Sequence, residues 1–290
     1  MFGWTADEAQ SHAVLDAYVA AGGNFIDTAN SYLVEHGRSE TIIGSWLAAR
    51  GRRDDVVVAT KVGGGRGAVR SLRPETIERE AAASLERLQT DRIDLYYAHF
   101  DDEETPLEDS LRAFDALVRA GAVRHLGASN YSPQRLTEAL ELQRELGLAE
   151  FTVLQPHYNL VEREFERTLG PVAETWDLAV LPYFALAKGF LTGKYRPGGE
   201  AVDSPRADAA RAYLEQGGAA VLEALDEVAA AHDTTVAAVA LAWLIAQPRV
   251  VAPIASARTT QQLEQILPAA SLELTGEEVE RLSGAAARVG

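Results

Sequence analysis

The chemistry that this sequence offers rests on four polar residues, Asp27, Tyr32, Lys61 and His99, which supply carboxylate, phenol, ammonium and imidazole groups. A cation beside a phenol favours the phenolate and lowers the phenol pKa from about 10. Beside Lys61, Tyr32 would become a proton donor near neutral pH, and Asp27 would be the counter-ion that a buried lysine needs. This set is suited to protonating an oxygen that gains negative charge, as a carbonyl oxygen does when its carbon receives a hydride.

Three of these residues end apolar runs that have the character of β-strands. Asp27 closes NFID, Lys61 closes VVVATK and His99 closes IDLYYAH, whereas Tyr32 lies in the loop after Asp27. In a parallel α/β barrel the carboxyl ends of all strands open on the same face, and that face holds the active site. We therefore expect the four to converge, with His99 either orienting a substrate oxygen or sharing the proton. Taken singly, each also has a structural explanation, such as a helix cap, a salt bridge or a core histidine.

Short apolar or β-branched runs alternate with helical patterns along the chain. The predicted strands are 24–28, 56–61, 93–99, 125–129, 151–155, 178–183 and 250–254. Such alternation predicts parallel βαβ units and favours a single (β/α)8 barrel over residues 1–290 rather than a doubly wound sheet. A closed barrel needs an eighth strand, so either Met1–Trp4 is the stump of a truncated first strand or the protein begins upstream.

Capping residues mark the expected helix boundaries. The predicted helix starts are Thr5 with Glu8, Arg73–Pro74, Thr105–Pro106 with Glu108, Ser132–Pro133, and Thr275 with Glu278. Glycines at 22–23, 51, 121 and 147 are expected where helices end. The long irregular stretch 193–213 is either a lid over the site or a solvated connection.

The composition excludes several classes of function. The chain has 27 basic and 43 acidic residues in 290, a net charge of −16, which disfavours sequence-independent binding of nucleic acid. It has no cysteine, so disulfides, thiolate chemistry and Cys-ligated metals are ruled out. No apolar run is long enough to span a membrane and no signal-peptide pattern is present, so we expect a cytoplasmic protein without a membrane partner.

No side chain supplies a hydride, so a cofactor is implied. The segment Ser256-Ala257-Arg258 follows the last predicted strand and precedes a helical pattern. Barrel enzymes often bind phosphate after their last strands, and an arginine fork suits a phosphate. The alternative is a surface arginine at a helix start.

Several stretches, in order along nearly the whole chain, resemble the aldo-keto reductase family: GGNFIDTANSY, GRSETIIGSWL, VVVATKVGG, AAASLERLQTDRIDLYYAH, GAVRHLGASNYS, LQPHYNLVERE and FLTGKY. The resemblance implies a (β/α)8 barrel that reduces aldehydes and ketones with NADPH as cofactor and needs no metal. It makes Tyr32 the proton donor, and Lys61 and Asp27 the pair that adjusts the pKa of Tyr32. It makes His99 the residue that orients the substrate oxygen.

The same resemblance assigns residues to cofactor and substrate. Ser129, Asn130 and Gln155 match positions that hold the nicotinamide carboxamide, Tyr183 matches the aromatic residue that stacks on the nicotinamide ring, and Ser256, Arg258 and Gln262 match the pyrophosphate and 2′-phosphate region. Arg258 thereby implies a preference for NADPH over NADH. Trp4 and Phe100 are candidate walls of a pocket for a small carbonyl substrate.

Two other interpretations of the function are compatible with this resemblance. Some relatives resemble channel β-subunits, which hold the cofactor and serve mainly as regulatory partners. Others resemble NAD(P)-dependent sugar dehydrogenases, which run the same chemistry in another direction.

Overall fold

The structure is a computed structural model that describes residues 2–32, 36–64, 70–199, 207–287 and 289. These residues form two compact units. The first comprises Met1–Gln155, Val172–Leu178 and Ser256–Thr260, and the second Pro156–Pro171, Ala179–Ala255 and Gln261–Gly290. The expected single domain over residues 1–290 stays a prediction.

Strands and helices alternate along the described chain. The strands are β1 Phe25–Asp27, β2 Val57–Val62, β3 Ile93–Ala98, β4 Val123–Ser129, β5 Phe151–Gln155 and β6 Ala179–Val180. The α-helices are α1 Glu8–Ala20, α2 Arg38–Arg50, α3 Pro74–Leu88, α4 Leu107–Arg119, α5 Pro133–Leu146, α6 Leu169–Thr175, α7 Ala207–Tyr213, α8 Ala219–Ala231, α9 Val236–Ile245, α10 Thr260–Glu264 and α11 Gly276–Ala286. Short 3-10 helices cover Glu164–Arg167, Ala187–Thr192 and Leu267–Ala270, and a π-helical turn covers Leu214–Gly218.

In the first unit, β1 to β5 pair in sequence order and every pair is parallel. The registers align Asp27 with Ala59, Lys61 with Tyr97, Tyr97 with Gly127, and Ser129 with Gln155. Because successive side chains of a strand point to opposite faces, this register places Asp27, Lys61, Ser129 and Gln155 on the same face of the sheet.

An apolar layer lies on that same face, nearer the amino ends of the strands. Ala59, Leu95 and Tyr97 are buried together, with Phe25 and Val153 packed against them. Gly127 leaves room for the Tyr97 ring, since a Cβ there would come within 2.5 Å of the ring carbons. The Tyr97 ring centre lies 5.4 Å from the Lys61 ammonium, so this layer forms the floor beneath the polar site.

The second unit contains the shortest strand, β6. Val180 forms an isolated parallel bridge with Val250, and the Val251 N–H donates to the Val180 carbonyl. The predicted strand 178–183 is shortened to two residues because Pro182 has no N–H to donate. Pro253 interrupts the predicted strand 250–254 for the same reason, and only the bridge at Val250 forms.

The described residues therefore contain six strands, fewer than the eight of the expected (β/α)8 barrel, in an α/β fold of parallel strands and helices. The predicted strand stump at Met1–Trp4 is wrong for its described part. Phe2 and Ala6 form an isolated bridge, and the Gly3 N–H donates to the Ala6 carbonyl, so this segment is a turn.

Two of the predicted helix caps are wrong. Helix α1 is capped by Asp7 rather than Thr5, because the Asp7 carboxylate accepts from the Gln10 N–H and the Gln10 side chain accepts from the Asp7 N–H. Helix α4 begins after Pro106 with no side-chain cap, since the Thr105 hydroxyl donates instead to the Asp102 carboxylate.

The other helix boundaries follow the sequence signals. Helices α3 and α5 begin at the expected prolines, the Ser132 hydroxyl caps α5, and Thr275 with Glu278 forms a capping box at α11. Gly51 and Gly147 end helices in the left-handed conformation. Of the predicted loop 193–213, residues 200–206 lie outside the described part, and α7 begins at Ala207.

Among the described residues, no single helix has the length and apolar character needed to cross a membrane. The bent pair Ala207–Ala231 with Val236–Ile245, at 95° to each other, meets those criteria by length and composition alone.

Candidate active site

The Lys61 ammonium lies at the centre of the polar site. Its Nζ atom is 2.5 Å from Asp27 Oδ1, 2.7 Å from the Thr28 carbonyl oxygen and 2.9 Å from the Tyr32 hydroxyl oxygen. The Lys61 side chain is fully buried, and the Asp27 side chain is 5% exposed. Burial lowers the pKa of Lys61 below its usual value, and the neighbouring Asp27 carboxylate opposes this shift. The site therefore holds a charged pair that water does not screen.

The Tyr32 phenol is held by both members of that pair. It accepts a hydrogen bond from Lys61 Nζ, and its own O–H is 3.3 Å from Asp27 Oδ1. A cation at this distance stabilises the phenolate relative to the phenol. The arrangement can therefore release the Tyr32 proton to an acceptor and hold the charge left behind.

His99, at the carboxyl end of β3, packs edge-to-face against the Tyr32 ring. The two ring centres are 6.0 Å apart at 77°, and His99 Nδ1 is 3.4 Å from the Ser31 hydroxyl. Burial, followed by the charges of Lys61 and Arg70, lowers the pKa of His99 to about 3. The imidazole is thus neutral near pH 7 and can donate or accept a hydrogen bond without carrying charge.

The structure also places Ser129, Asn130 and Gln155 together at the ends of β4 and β5. The Ser129 hydroxyl donates to the Gln155 carbonyl at 2.8 Å, and Asn130 Nδ2 donates to Ser129 Oγ at 3.0 Å and to the His99 carbonyl at 2.8 Å. Asn130 has a φ of 55°, a left-handed conformation that asparagine tolerates better than most residues. These bonds link the loop after β4 to the carboxyl end of β3.

Sequence reasoning missed a contact that joins these residues to the Asp27–Lys61 pair. Gln155 Nε2 donates to Asp27 Oδ2 at 2.8 Å, so the two oxygens of this carboxylate are shared between Gln155 on one side and Lys61 on the other. The carboxylate is thereby fixed in orientation. No local pattern signals this contact, because the two residues are 128 positions apart.

A second buried network lies on the opposite face of β2, behind Lys61. The Thr60 hydroxyl donates to Glu40 Oε1 at 2.5 Å, and Arg87 Nε donates to Glu40 Oε2 at 2.7 Å. Glu40 belongs to the SETIIGSWL stretch of α2 and is fully buried. This network joins α2 and α3 to the residue before Lys61 and so holds β2 in place.

The loop that carries Tyr32 is anchored at its start and end. Asn30 Nδ2 donates to Glu80 Oε2 on α3 at 2.9 Å, the Asn30 carbonyl accepts from the Gly37 N–H at 2.7 Å, and His36 Nε2 lies 3.0 Å from Glu80 Oε2. Residues 33–35 lie outside the described part. The anchors restrict where the Tyr32 phenol can move.

The remaining predicted site residues are divided between the two units. In the first unit, Ser256 is exposed and Arg258 half-buried just before α10, and Trp4 is 46% exposed in the amino-terminal turn. Phe100 packs its ring on His99, with ring centres 4.9 Å apart, so Phe100 adjoins the site. In the second unit, Tyr183 stacks on His157 with ring centres 5.3 Å apart, and Gln262 is half-buried in α10.

The polar groups present are of the kind that a nicotinamide cofactor needs. The hydroxyl of Ser129 and the amides of Asn130 and Gln155 can both donate and accept, as pairing with a carboxamide requires. They adjoin the Asp27, Lys61 and Tyr32 cluster through the Gln155–Asp27 bond. The residues therefore fit a nicotinamide placed beside the Tyr32 hydroxyl.

The chain is similar to known oxidoreductases over almost its whole length. A model of the aldo/keto reductase family matches residues 1–287. The aldo-keto reductase ausK of Aspergillus calidoustus is 36% identical over 96% of this chain and 74% of its own length. The norsolorinic acid reductase B of Aspergillus parasiticus is 32% identical over 98% of this chain and 76% of its own.

A solved structure extends the comparison to the fold. The glycerol dehydrogenase AKR11B4 of Gluconobacter oxydans matches with a TM-score of 0.85 and 31% identity, covering 99% of this chain and 89% of that one. The chain belongs to the aldo/keto reductase family and is an NAD(P)H-dependent oxidoreductase.

Proposed function

We propose that this protein reduces aldehydes and ketones to alcohols with NADPH, and that Tyr32 delivers the proton to the carbonyl oxygen. The observation that carries the proposal is the position of the buried Lys61 ammonium, 2.9 Å from the Tyr32 hydroxyl and 2.5 Å from Asp27. A phenol held beside a cation at such a distance combines proton donation with stabilisation of the resulting anion.

The proton path follows from these contacts. A bound nicotinamide cofactor supplies a hydride to the carbonyl carbon. Tyr32 gives its proton to the carbonyl oxygen as negative charge develops there, and the Lys61 ammonium holds the phenolate that remains. Asp27 keeps Lys61 charged, and Gln155 holds the second oxygen of Asp27 in place.

His99 is proposed to orient the carbonyl oxygen. Because its pKa is about 3, it stays neutral and offers one N–H without competing as an acid. If the Ser31 hydroxyl donates to Nδ1, the ring proton lies on Nε2 and can point to the substrate. The oxygen would then receive hydrogen bonds from both His99 and Tyr32.

The cofactor contacts are proposed from the family resemblance together with the donor set. Ser129, Asn130 and Gln155 would hold the carboxamide, and Tyr183 would stack on the ring. The pyrophosphate and 2′-phosphate contacts are assigned to Ser256, Arg258 and Gln262. We also propose that the fold is a (β/α)8 barrel, which the similarity over 99% of the chain to the dehydrogenase structure supports.

The proposed partner is a small carbonyl compound, with no nucleic acid or membrane involved. Steady-state oxidation of NADPH by the wild-type protein, measured by absorbance with a panel of aldehydes, tests the activity. Turnover above the rate without substrate is expected. Tight binding of NADPH with no turnover on any aldehyde would instead favour the cofactor-binding regulatory role.

The 2′-phosphate contact has its own test. Replacing Arg258 with alanine should raise the KM for NADPH much more than the KM for NADH, because only NADPH carries the phosphate that the guanidinium would bind. Equal changes in the two constants would remove this role from Arg258.

The names of some relatives support the opposite reaction, the oxidation of an alcohol. The putative aryl-alcohol dehydrogenase AAD14 of Saccharomyces cerevisiae is 33% identical over 94% of this chain and 76% of its own length. The same residues would then remove a proton from an alcohol, with Tyr32 as the base. Product analysis with both NADPH and NADP+ separates carbonyl reduction from alcohol oxidation.

A further inference from the structure

Arg70 lies beside the aromatic residues that adjoin the site. Its guanidinium carbon is 4.1 Å from the centre of the Phe100 ring, and that ring is tilted by 33° on His99 with centres 4.9 Å apart. These contacts place the guanidinium within about 9 Å of the His99 ring centre. The Arg70 charge is also one of the causes that lower the pKa of His99.

The charge of Arg70 is not neutralised by the protein residues that the structure describes. By contrast, Lys61 is paired with Asp27, and Arg135 is paired with both oxygens of Asp101. Arg70 has no carboxylate of a described residue within ion-pair distance, and its side chain is exposed. In a chain of net charge −16, this is a local positive charge open to solvent at the edge of the site.

The backbone that follows Arg70 is fixed. Leu72 is buried, its N–H donates to Asp102 Oδ2 at 2.8 Å, and its carbonyl accepts from the Ser110 hydroxyl at 2.7 Å. The Phe100 platform is fixed as well, since a Cβ at Gly64 would lie 2.4 Å from the Phe100 ring. The backbone after Arg70 and the ring beneath its guanidinium are therefore both held in place.

We propose that Arg70, stacked on Phe100, is a specificity-determining residue that binds the carboxylate of carbonyl substrates. A guanidinium pairs with a carboxylate through two parallel N–H···O bonds, and stacking on an aromatic ring leaves its edge available for this pairing. The favoured substrates are aldehydes whose carboxylate lies about one benzene ring away from the carbonyl. The inference rests on the proposed reduction of carbonyl compounds and adds its substrate class.

The test compares 4-carboxybenzaldehyde with its methyl ester, which has the same ring and carbonyl but no charge. The readout is the ratio of kcat/KM for the acid to kcat/KM for the ester. Arg70→Gln should lower this ratio about fivefold, the upper range for a solvent-exposed charge pair. Arg70→Lys should keep part of the preference, because the charge remains and the planar fork is lost.

Arg144→Gln is the matched control. Arg144 is also an exposed arginine on an aromatic ring, 4.4 Å from the centre of Trp176, and its loss changes the net charge equally. It lies in the last turn of α5, which begins at the carboxyl end of β4 and so ends toward the amino ends of the strands. The ratio of kcat/KM for the acid to kcat/KM for the ester should be the same in this variant as in wild type.

Ionic strength gives a second readout that a purely structural role of Arg70 would not move. Raising salt from about 20 mM to about 500 mM should reduce the wild-type ratio toward that of Arg70→Gln, since exposed charges are screened. A ratio unchanged by Arg70→Gln, or lowered equally by Arg144→Gln, would overturn the inference while leaving carbonyl reduction intact. Absence of turnover with both aldehydes would overturn the proposed function, and the inference with it.

Discussion

Replacing Asp27 with asparagine should destabilise the protein strongly, because it leaves the Lys61 charge buried without its counter-ion. Lys61 is fully buried, and its nearest contact is Asp27 Oδ1 at 2.5 Å. Removing one partner of a buried ion pair costs about 3–5 kcal/mol. The asparagine oxygen can still accept one hydrogen bond, so we expect the lower end, about 3 kcal/mol. With an m-value of roughly 3 kcal/mol per M, the urea midpoint would fall by about 1 M.

The double variant Asp27→Asn/Lys61→Met separates this cause from a general loss of packing. It removes the orphaned charge, so its unfolding free energy should lie closer to that of wild type than the Asp27→Asn value does. Circular dichroism in urea gives the unfolding free energy of wild type, of the two single variants and of the double variant, which together form a double-mutant cycle. A loss of less than about 1 kcal/mol in Asp27→Asn, or a double variant as unstable as the sum of the two single ones, would show that the unpaired Lys61 charge is not the cause.

The stability of Asp27→Asn should also depend on pH, in a direction that the Lys61 charge determines. Burial already lowers the pKa of Lys61 from its usual value of 10.5, and without Asp27 nothing of comparable strength opposes that shift. The unfolded chain then binds more protons than the folded one between the lowered folded pKa and 10.5, so stability rises with pH across that window. Asp27→Asn should recover more stability than wild type between pH 7 and 10.

Two further predictions concern helix packing and the histidine. Gly44→Ala should cost about 3 kcal/mol, because its Cβ would lie 2.0 Å from the Arg87 carbonyl oxygen of the adjacent helix. Gly284→Ala, also within a helix but with open space around it, should instead stabilise by about 0.5–1 kcal/mol in the same urea titration. For His99, a folded pKa of about 3 against the usual 6.5 means that stability falls as pH drops through this window. His99→Asn should lose less stability than wild type between pH 6.5 and 4, and identical pH curves would contradict the burial of a neutral imidazole.

The convergence of the four polar residues could be predicted from the sequence because it depends on strand direction. Asp27, Lys61 and His99 close apolar runs, and parallel strands bring such ends to the same edge. The structure confirms that they meet Tyr32 there. Their catalytic roles stay predictions.

Elements that depend on competing local signals were predicted less well. Thr5 and Asp7 are both residues that cap helices, and only the packed structure selects Asp7 for α1. The run 250–254 has the apolar character of a strand, but Pro253 interrupts the hydrogen bonding and a single bridge forms.

The contacts that fix the site depend on residues that are far apart in the chain. Gln155 meets Asp27, and Glu40 reaches Thr60 from a helix behind the strand. A hydrogen bond between two side chains leaves no periodicity in either segment, so no pattern in the sequence could reveal these pairs. They appear only once the register of the parallel strands is known.

If Tyr32 donates the proton to the carbonyl oxygen, the Tyr32→Phe variant should lose carbonyl reduction while it still binds NADPH. The change removes one hydroxyl and keeps the ring, so NADPH binding, measured by fluorescence titration, should stay close to that of wild type. Loss of a positioned general acid should lower kcat for aldehyde reduction by about 10²–10⁴-fold. Turnover at the wild-type rate in Tyr32→Phe would contradict the account.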